Sequence, residues 1–120
     1  MVQKLIRRLQ SDGFLTAWGP ATENPASPHY EPDGYWRGPI WAPTTYLIWD
    51  GLRQQDEAAL AHDIARRFCA LCETSGMAEN FDAITGAGLR DQAFAWTSAV
   101  YLLLSASLQS SNPNREPEHD

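Results

Sequence analysis

The chain has 120 residues, which is enough for one domain with a modest core. Its formal net charge is −6, so it lacks the basic surface with which proteins bind nucleic acid or anionic membranes. No apolar segment approaches the ~18–20 residues of a membrane span, and the N-terminus lacks the apolar core of a signal peptide. The sequence therefore predicts a cytoplasmic protein with no nucleic-acid partner and no membrane partner.

The first predicted element is a short amphipathic helix. Apolar residues repeat there at helical spacing, and the pattern ends before Ser11-Asp12-Gly13. The repeat consists of Val2, Leu5, Ile6 and Leu9. An apolar stripe of this kind normally packs against a preceding helix, so we expect that a partner helix is missing from this sequence.

Residues 14–38 form a long segment that is rich in proline, glycine and aromatic side chains. Five prolines in and just after it exclude a continuous helix, namely Pro20, Pro25, Pro28, Pro32 and Pro39. Its aromatic residues argue against a disordered linker, since they are costly to leave in water: Phe14, Trp18, Tyr30, Tyr35 and Trp36. Because long ordered loops are usually functional, we predict that this segment lines a site.

Three more helices are predicted, over residues 43 to about 53, 58–73 and 93 to about 108. The first and last of these are apolar nearly all round, which favours buried, inner helices. The middle one is amphipathic, with Asp56 as its predicted N-cap and Gly76 as its stop. Gly51 is expected to mark a close helix approach or a break.

A second loop is predicted over residues 79–91, and a disordered tail over residues 110–120. In the loop, Gly86 and Gly88 suit turns with positive φ. Asp82 is expected to be structural, because an Asp before Thr85-Gly86 suits a turn in which its carboxylate accepts local N–H bonds.

These elements predict an all-α fold of about four helices, in which outer amphipathic helices alternate with inner apolar ones. Long aromatic loops join the helices on one side, which indicates a sector of an (α/α) toroid of stacked hairpins over residues 1–109. Four helices leave apolar flanks uncovered. We therefore expect the flanks to be covered by missing N-terminal hairpins of the same domain, or by a self-associating partner.

The segment Tyr35-Trp36-Arg37-Gly38-Pro39-Ile40-Trp41 is the first candidate site. Trp36 and Trp41 have the flat apolar surface that stacks on a sugar ring, and Arg37 has a planar fork of donors for hydroxyls or a carboxylate. A structural interpretation remains open, in which Tyr35 and Trp41 anchor the loop and Arg37 pairs with a local acid such as Asp33.

Glu79 is the second candidate, because a carboxylate beside a sugar can act as general base on water. A loop Glu is also commonly a solvated surface charge, so this alternative stays open as well.

The remaining reactive side chains predict no cofactor and no metal. Cys69 and Cys72 have C-x-x-C spacing but lie within a predicted helix, which favours thiols in a core over a metal or redox site. The three histidines, His29, His62 and His119, show no ligand spacing.

Three ordered motifs resemble glycoside hydrolase family sixty-three and its relatives. The segment from Tyr35 to Leu47 is similar to the family's YWRGPIW-x-P-x-NYL, and Glu79-Asn80-Phe81-Asp82-Ala83-Ile84-Thr85-Gly86 to its E-N/Y-F/Y-D/N-P-x-TG. Phe94-Ala95-Trp96-Thr97-Ser98-Ala99 resembles the F-x-WT-x-A opening of the last helix. Two departures are Ala83, where the family usually has Pro, and Thr45, where Asn is common.

The resemblance implies a six-hairpin toroid that hydrolyses α-glycosides with inversion, as in mannosylglycerate and glucosylglycerate hydrolases and processing α-glucosidases. It assigns the general base to Glu79. It assigns the sugar-lining loop to Tyr35, Trp36, Arg37, Gly38 and Trp41, with Trp96 and Trp18 as weaker candidates.

In the family the general acid is an Asp from an earlier hairpin, and no residue of this chain matches it. The sequence thus predicts the C-terminal part of an inverting α-glycosidase acting on an α-glucoside or α-mannoside, with the isolated chain inactive. The alternative is a non-catalytic carbohydrate-binding or structural helical remnant.

Overall fold

The computed structural model describes residues 1–92 and 94–110. Four helices make up most of this part of the chain: α1 (Val2–Ser11), α2 (Ala42–Gln54), α3 (Ala58–Ser75) and α4 (Ala95–Ser110). The predicted all-α class is therefore confirmed. No helix in the described ranges is long and apolar enough to span a membrane.

The helix ends follow local signals for the most part. Pro43 lies in the first turn of α2, where a missing N–H costs no helical bond. Gly76 ends α3 with a φ of 83°, and its N–H donates to the carbonyl of Cys72 at 2.8 Å. The predicted tail begins one residue too early, because Ser110 is the last residue of α4. Its other residues, 111–120, lie outside the described part, as does Ala93.

The prediction that Asp56 caps α3 is wrong. The N-cap is Glu57, whose side chain makes no capping hydrogen bond, and Asp56 lies in the preceding turn with a φ of 58°. The turn is closed instead by the N–H of Glu57, which donates to the carbonyl of Leu52 at 2.9 Å.

The predicted order of burial among the helices is also wrong. α3 is the central helix, since it packs against both α2 and α4 and has more buried side chains than either. The helices expected to be inner expose large apolar side chains: Leu47 is 66% exposed, Leu102 66% and Leu103 53%. These three side chains are therefore more than half exposed.

The core lies between α3 and the short strands. Its fully buried apolar members come from α3, from two strands and from α4, namely Ile64, Phe68, Leu71, Ile40, Phe81 and Leu104. The rings of Phe68 and Phe81 meet edge to face with centroids 6.1 Å apart. α3 shows the predicted amphipathicity, since His62, Arg66 and Glu73 lie on its exposed side.

Both predicted loops contain short strands that the sequence did not indicate. β1 (Leu15–Thr16) pairs with β2 (Gly19–Pro20), and β3 (Ile40–Trp41) pairs with β4 (Asn80–Phe81), which pairs in turn with β5 (Gly88–Leu89). All these pairs are antiparallel. Each strand has only two residues, so no alternation of apolar and polar residues could indicate it.

Two predictions about glycines, those for Gly88 and Gly51, are wrong. Gly88 lies in β5 rather than in a turn, whereas Gly86 has the predicted positive φ of 75°. Gly51 neither breaks α2 nor contacts another helix, because an added Cβ there would meet nothing within 4 Å.

Candidate functional site

The β3–β4 pairing brings the two predicted site segments together. Ile40 lies opposite Phe81 and Trp41 opposite Asn80, so the aromatic segment and the segment after Glu79 are neighbouring strands. The two segments are about forty residues apart in sequence. Glu79 therefore lies next to the end of β3 that carries Trp41.

Three tryptophans form a continuous aromatic wall beside this strand pair. Trp36 and Trp41 meet edge to face with ring centroids 4.9 Å apart, and the centroids of Trp41 and Trp96 are 6.0 Å apart. Phe94 extends the wall, with its centroid 5.6 Å from that of Trp96. Because Trp36 is 64% exposed and Trp96 56%, much of the wall faces solvent.

The start of α4 is attached to the segment before Glu79, which explains why Trp96 reaches this wall. The hydroxyl of Thr97, which is fully buried, donates to the carbonyl of Ala78 at 2.6 Å. The N–H of Phe94 donates to the carbonyl of Met77 at 2.7 Å. Both bonds tie the aromatic end of α4 to the backbone just before the candidate base.

The aromatic segment is shaped by Thr22 and Gly38. The hydroxyl of Thr22 lies 2.8 Å from the carbonyl oxygen of Tyr35 and accepts the N–H of Gly38 at 3.0 Å. Gly38 is buried, and a Cβ at this position would overlap with the carbonyl of Glu31. Only glycine lets the chain return this close to its own backbone.

Arg37 and Asp33 do not pair, so the structural alternative in which Arg37 pairs with Asp33 is wrong. Asp33 pairs instead with Arg90, whose Nε lies 2.8 Å from its carboxylate oxygen. Arg37 is exposed and makes no ion pair with any described residue. Its guanidinium is therefore not neutralised by a carboxylate of the described residues.

Glu79 is half-buried at the open end of the β4–β5 hairpin. Its backbone N–H donates to the carbonyl of Asp91 at 2.8 Å, which fixes the main chain. Its carboxylate makes no ion pair with the described residues. A partly shielded carboxylate of this kind is able to accept a proton from a bound water.

Asp82 has the structural role predicted for it. Its carboxylate oxygen Oδ1 accepts the N–H groups of Ile84 at 2.8 Å and Thr85 at 2.9 Å. Trp18 lies at this turn rather than on the tryptophan wall: its Nε1 donates to the carbonyl of Ile84 at 3.3 Å. It packs over Gly86, where an added Cβ would be 2.7 Å from Trp18 Cε2.

Two buried polar side chains next to the site have no hydrogen-bond partner among the described residues. Both side-chain polar atoms of Asn80 are unpaired, and so is the hydroxyl of Thr45 on α2. Thr45 is the position where the related family commonly has Asn, so the polar contact expected from that Asn has no counterpart here.

Arg90 is the residue that sequence reasoning missed. Besides pairing with Asp33, its guanidinium carbon lies 4.0 Å from the ring centroid of Tyr35, within the range of a cation–π contact. The hydrogen bond to Asp33 is the main cause that raises the pKa of Arg90, and the charge of Glu79 adds to it. A single Arg at the end of a glycine-rich loop has no signal in the sequence, because its partners lie more than fifty residues away.

Cys69 and Cys72 are buried and unbridged, as predicted for thiols in a core. Burial raises the pKa of Cys69 to about 11, with a smaller contribution from the charge of Glu73. Burial and then the neighbouring Cys69 raise the pKa of Cys72 to about 12. The described residues contain no group of three or more potential ligands that could hold a metal ion.

The sequence and fold are similar to those of known glycoside hydrolases. Residues 1–97 match a protein family whose description is "Mannosylglycerate hydrolase MGH1-like glycoside hydrolase domain". A mannosylglycerate hydrolase from Thermus thermophilus is 38% identical over 79 residues, which is 66% of this chain and 19% of that protein. Mannosylglycerate hydrolase MGH1 from Selaginella moellendorffii is 31% identical over 72% of this chain and 18% of its own length.

Solved structures of glycoside hydrolases are similar to this chain as well. A GH63 mannosylglycerate hydrolase from Thermus thermophilus in complex with glucose superposes with a TM-score of 0.76 at 30% identity, over 88% of this chain and 25% of that one. The same enzyme in complex with Tris and D-glycerate superposes with a TM-score of 0.79 at 31% identity, over 86% of this chain and 25% of that one. This chain thus spans about a fifth to a quarter of such relatives.

The structural match confirms the predicted partial (α/α) toroid, and it agrees with the sequence match to the family. The chain belongs to the family of mannosylglycerate hydrolase MGH1-like glycoside hydrolase domains.

Proposed function

We propose that this chain carries the general base and one sugar-binding wall of an inverting α-glycosidase that acts on an α-mannoside or α-glucoside. Glu79 is the proposed base, and the tryptophans of the aromatic wall, Trp36, Trp41 and Trp96, together with Tyr35 form the proposed sugar-binding surface. The observation that carries the proposal is the β3–β4 pairing, which sets Trp41 opposite Asn80 and so brings the backbone of Glu79 next to the strand that carries Trp41. The names of the relatives support the class of substrate.

In the proposed reaction, the Glu79 carboxylate takes a proton from a water molecule held above it. The water oxygen forms a bond to the anomeric carbon while the bond from that carbon to the leaving oxygen breaks. A second carboxylic acid protonates the leaving oxygen, and inversion requires it about 6.5–9.5 Å from the base, so that the water fits between them. Aromatic stacking and the donors of Arg37 would hold the sugar during this step.

The second carboxylic acid is the group that this chain does not supply, since no residue matches the family's acid. We therefore expect the purified chain to show no turnover of mannosylglycerate, glucosylglycerate or glucobioses. Turnover that disappears in Glu79→Gln would contradict this expectation, because it would mean that the chain holds an acid of its own.

The base assignment is tested in a chimera that supplies the rest of the domain. Residues 1–110 of this chain replace the matching segment of the Thermus thermophilus mannosylglycerate hydrolase. We expect the chimera to hydrolyse mannosylglycerate, and Glu79→Gln to lower its turnover about 10²–10⁴-fold, which is the usual contribution of a general base. Glu57→Gln, at the start of α3, is the matched control and should leave the rate unchanged. A folded chimera whose rate survives Glu79→Gln would refute the assignment.

A second candidate function is sugar binding without catalysis, and the observation that favours it is the exposed tryptophan wall. Calorimetric titration of the chain with mannosylglycerate, mannose and glucose distinguishes a chain that binds sugar from one that is only structural. Binding that is lost in Trp36→Ala and kept in Glu79→Gln supports the sugar wall. If the wild-type chain binds none of these sugars, the wall alone is not a binding site.

We also propose that the exposed apolar faces of α2 and α4 are covered by further hairpins of the same domain, or by a self-associating partner. The limited coverage of the relatives supports the first possibility, since about three quarters of the aligned structures have no counterpart here.

A further inference from the structure

We infer that Arg90 is a positioning residue that holds the aromatic loop of residues 31–37 against the hairpin that carries Glu79. The inference rests on the proposed function, because the loop carries Tyr35 and Trp36 of the proposed sugar-binding surface and the hairpin carries the proposed base. One guanidinium would then set the distance between the ring of Tyr35 and the carboxylate of Glu79.

Arg90 makes three contacts with the loop. Its Nε lies 2.8 Å from the carboxylate of Asp33, its Nη2 donates to the carbonyl of Asp33 at 3.0 Å, and its Cζ lies 4.0 Å from the centroid of Tyr35. The planar shape of the guanidinium makes this combination possible, since its edge donates while its face stacks. A lysine ammonium offers a point charge but no such plane.

Arg90 is placed by the same hairpin as Glu79. Asn80 lies opposite Leu89 in the β4–β5 pair, so Glu79, which precedes Asn80, and Arg90, which follows Leu89, both lie at its open end. There the N–H of Glu79 donates to the carbonyl of Asp91, the residue after Arg90. The charge of Glu79 contributes to the raised pKa of Arg90, which agrees with this proximity. Arg90 thus contacts Tyr35 and lies within the electrostatic influence of Glu79.

The backbone at both ends of the contact is in a conformation that other parts of the structure must hold in place. Tyr35 has a φ of 56° and Arg90 a φ of 64°, and residues with side chains rarely adopt such values. Conformations of this kind persist where surrounding contacts determine them. The guanidinium contact joins these two residues directly.

The loop has few other bonds to the rest of the protein. Thr22 holds its C-terminal end, through the carbonyl of Tyr35 and the N–H of Gly38. Within the loop, the N–H of Glu31 donates to the carbonyl of Arg37 at 2.7 Å, and the N–H of Arg37 donates to that of Gly34 at 3.2 Å. The ring of Trp36 also contacts that of Trp41 on β3, with centroids 4.9 Å apart, and Arg90 adds the contacts with the end of the β4–β5 hairpin.

The test compares Arg90→Ala with Arg90→Lys and with Arg53→Ala in the 120-residue chain. Arg53 is the matched control, because it is also an exposed arginine stacked on an aromatic ring, with its Cζ 4.4 Å from the centroid of Trp49 on α2. Hydrogen exchange of the loop amides, the midpoint of thermal unfolding and calorimetric titration with mannosylglycerate are measured for each variant.

In Arg90→Ala, we expect the amides of Glu31, Gly34 and Arg37 to exchange about five- to tenfold faster, because an exposed ion pair and a cation–π contact each contribute up to a factor of ~5. The unfolding midpoint and the exchange of α3 should stay at their wild-type values. Affinity for mannosylglycerate should fall by a similar factor. Arg90→Lys should recover part of both effects, and Arg53→Ala should change neither.

Unchanged exchange of the loop in Arg90→Ala would overturn the inference. So would a lower unfolding midpoint with faster exchange throughout α3, since that pattern indicates a general stabilising role. Faster loop exchange with unchanged affinity in a chain that binds the sugar would also overturn it. If the wild-type chain binds no mannosylglycerate, the proposed binding function fails, and the exchange measurements alone decide whether Arg90 holds the loop.

Discussion

Gly86 and Gly51 differ in backbone conformation and in surroundings, so we expect their replacement by alanine to change stability in opposite directions. Gly86 has a φ of 75° and lies under the indole of Trp18, where an added Cβ would be 2.7 Å from Cε2. Gly51 lies in the interior of α2, and an added Cβ would meet nothing within 4 Å. Glycine is required at position 86 by the turn and by the close contact with Trp18, whereas packing does not require glycine at position 51.

We expect Gly86→Ala to lower the free energy of unfolding by about 1–3 kcal/mol, because it combines strain at positive φ with a clash. Gly51→Ala should raise it by about 0.5–1 kcal/mol, because alanine loses less backbone entropy in a helix. Chemical denaturation of both variants and of the wild type measures the changes. A Gly86→Ala variant as stable as the wild type would contradict the close packing of Trp18.

The thiols of Cys69 and Cys72 are predicted to be inert in the folded chain. Burial raises their pKa values from the ordinary 9.0 to about 11 and about 12, so at pH 8 the thiolate fraction is lowered about hundredfold or more. Folding thus favours the protonated thiols, and their contribution to stability is present below pH 9.0 and decreases as the pH rises towards 11.

Alkylation with iodoacetamide at pH 8, followed by mass spectrometry, checks this prediction. Both thiols should react slowly in buffer and rapidly in denaturant, and the rate in the folded protein should rise only as the pH approaches about 11. Equal rates with and without denaturant would show that the thiols are accessible.

At the scale of elements, α4 is attached to the rest of the structure by its N-terminal end. Thr97 is fully buried and bonds to the carbonyl of Ala78, just before the hairpin. Farther along, α4 packs through Val100 and Leu104, while Leu102 and Leu103 are exposed. The orientation of Trp96 therefore depends on a polar bond as well as on apolar packing.

We expect Thr97→Val to cost about 1–2 kcal/mol of unfolding free energy, because the buried carbonyl of Ala78 loses its hydrogen-bond donor while the side-chain volume is kept. Ser98→Ala is the matched control, since the Ser98 hydroxyl donates to the carbonyl of Phe94, just before the helix, at 3.1 Å. Its cost should be below about 0.5 kcal/mol. Urea denaturation curves of both variants measure the two costs. Similar costs would show that the hydrogen bond from Thr97 to Ala78 contributes no more to stability than the bond from Ser98.

At the scale of the whole molecule, apolar surface is left open on both flanks. An apolar groove of about 610 Å³ lies between α1 and α2, lined by residues that include Leu5, Leu9, Leu47 and Ile48. α1 itself has no buried residue. On the other flank, Leu102 and Leu103 of α4 are exposed. Large open apolar surfaces are typical of faces that pack against other protein.

We expect the purified chain to self-associate through these flanks when no other hairpins cover them. Leu102→Gln combined with Leu103→Gln should lower the average mass in sedimentation equilibrium, because the pair removes exposed apolar area without touching the core. His62→Gln, on the exposed polar side of α3, should leave the mass unchanged. A wild-type chain that is monomeric at all concentrations would contradict the prediction.

The sequence by itself determined the helices, the turn at Asp82, the stop at Gly76 and the family. These features depend on contiguous residues: the helical repeat of apolar side chains, the local bonds of a carboxylate, the freedom of a glycine and the order of three motifs. The helices, the turn and the stop are encoded within a few residues of the element concerned, and the family is indicated by three motifs that are each contiguous in sequence.

Only the tertiary structure decided that β3 pairs with β4, that α3 is central, and that Asp33 pairs with Arg90 rather than with Arg37. Strands of two residues have no periodicity of their own, and the burial of a helix depends on which neighbours cover it. An ion pair between residues more than fifty positions apart depends on the contacts that bring the two segments together. The partners of Trp41 and Arg90 were therefore decided by packing between distant segments, which no local pattern records.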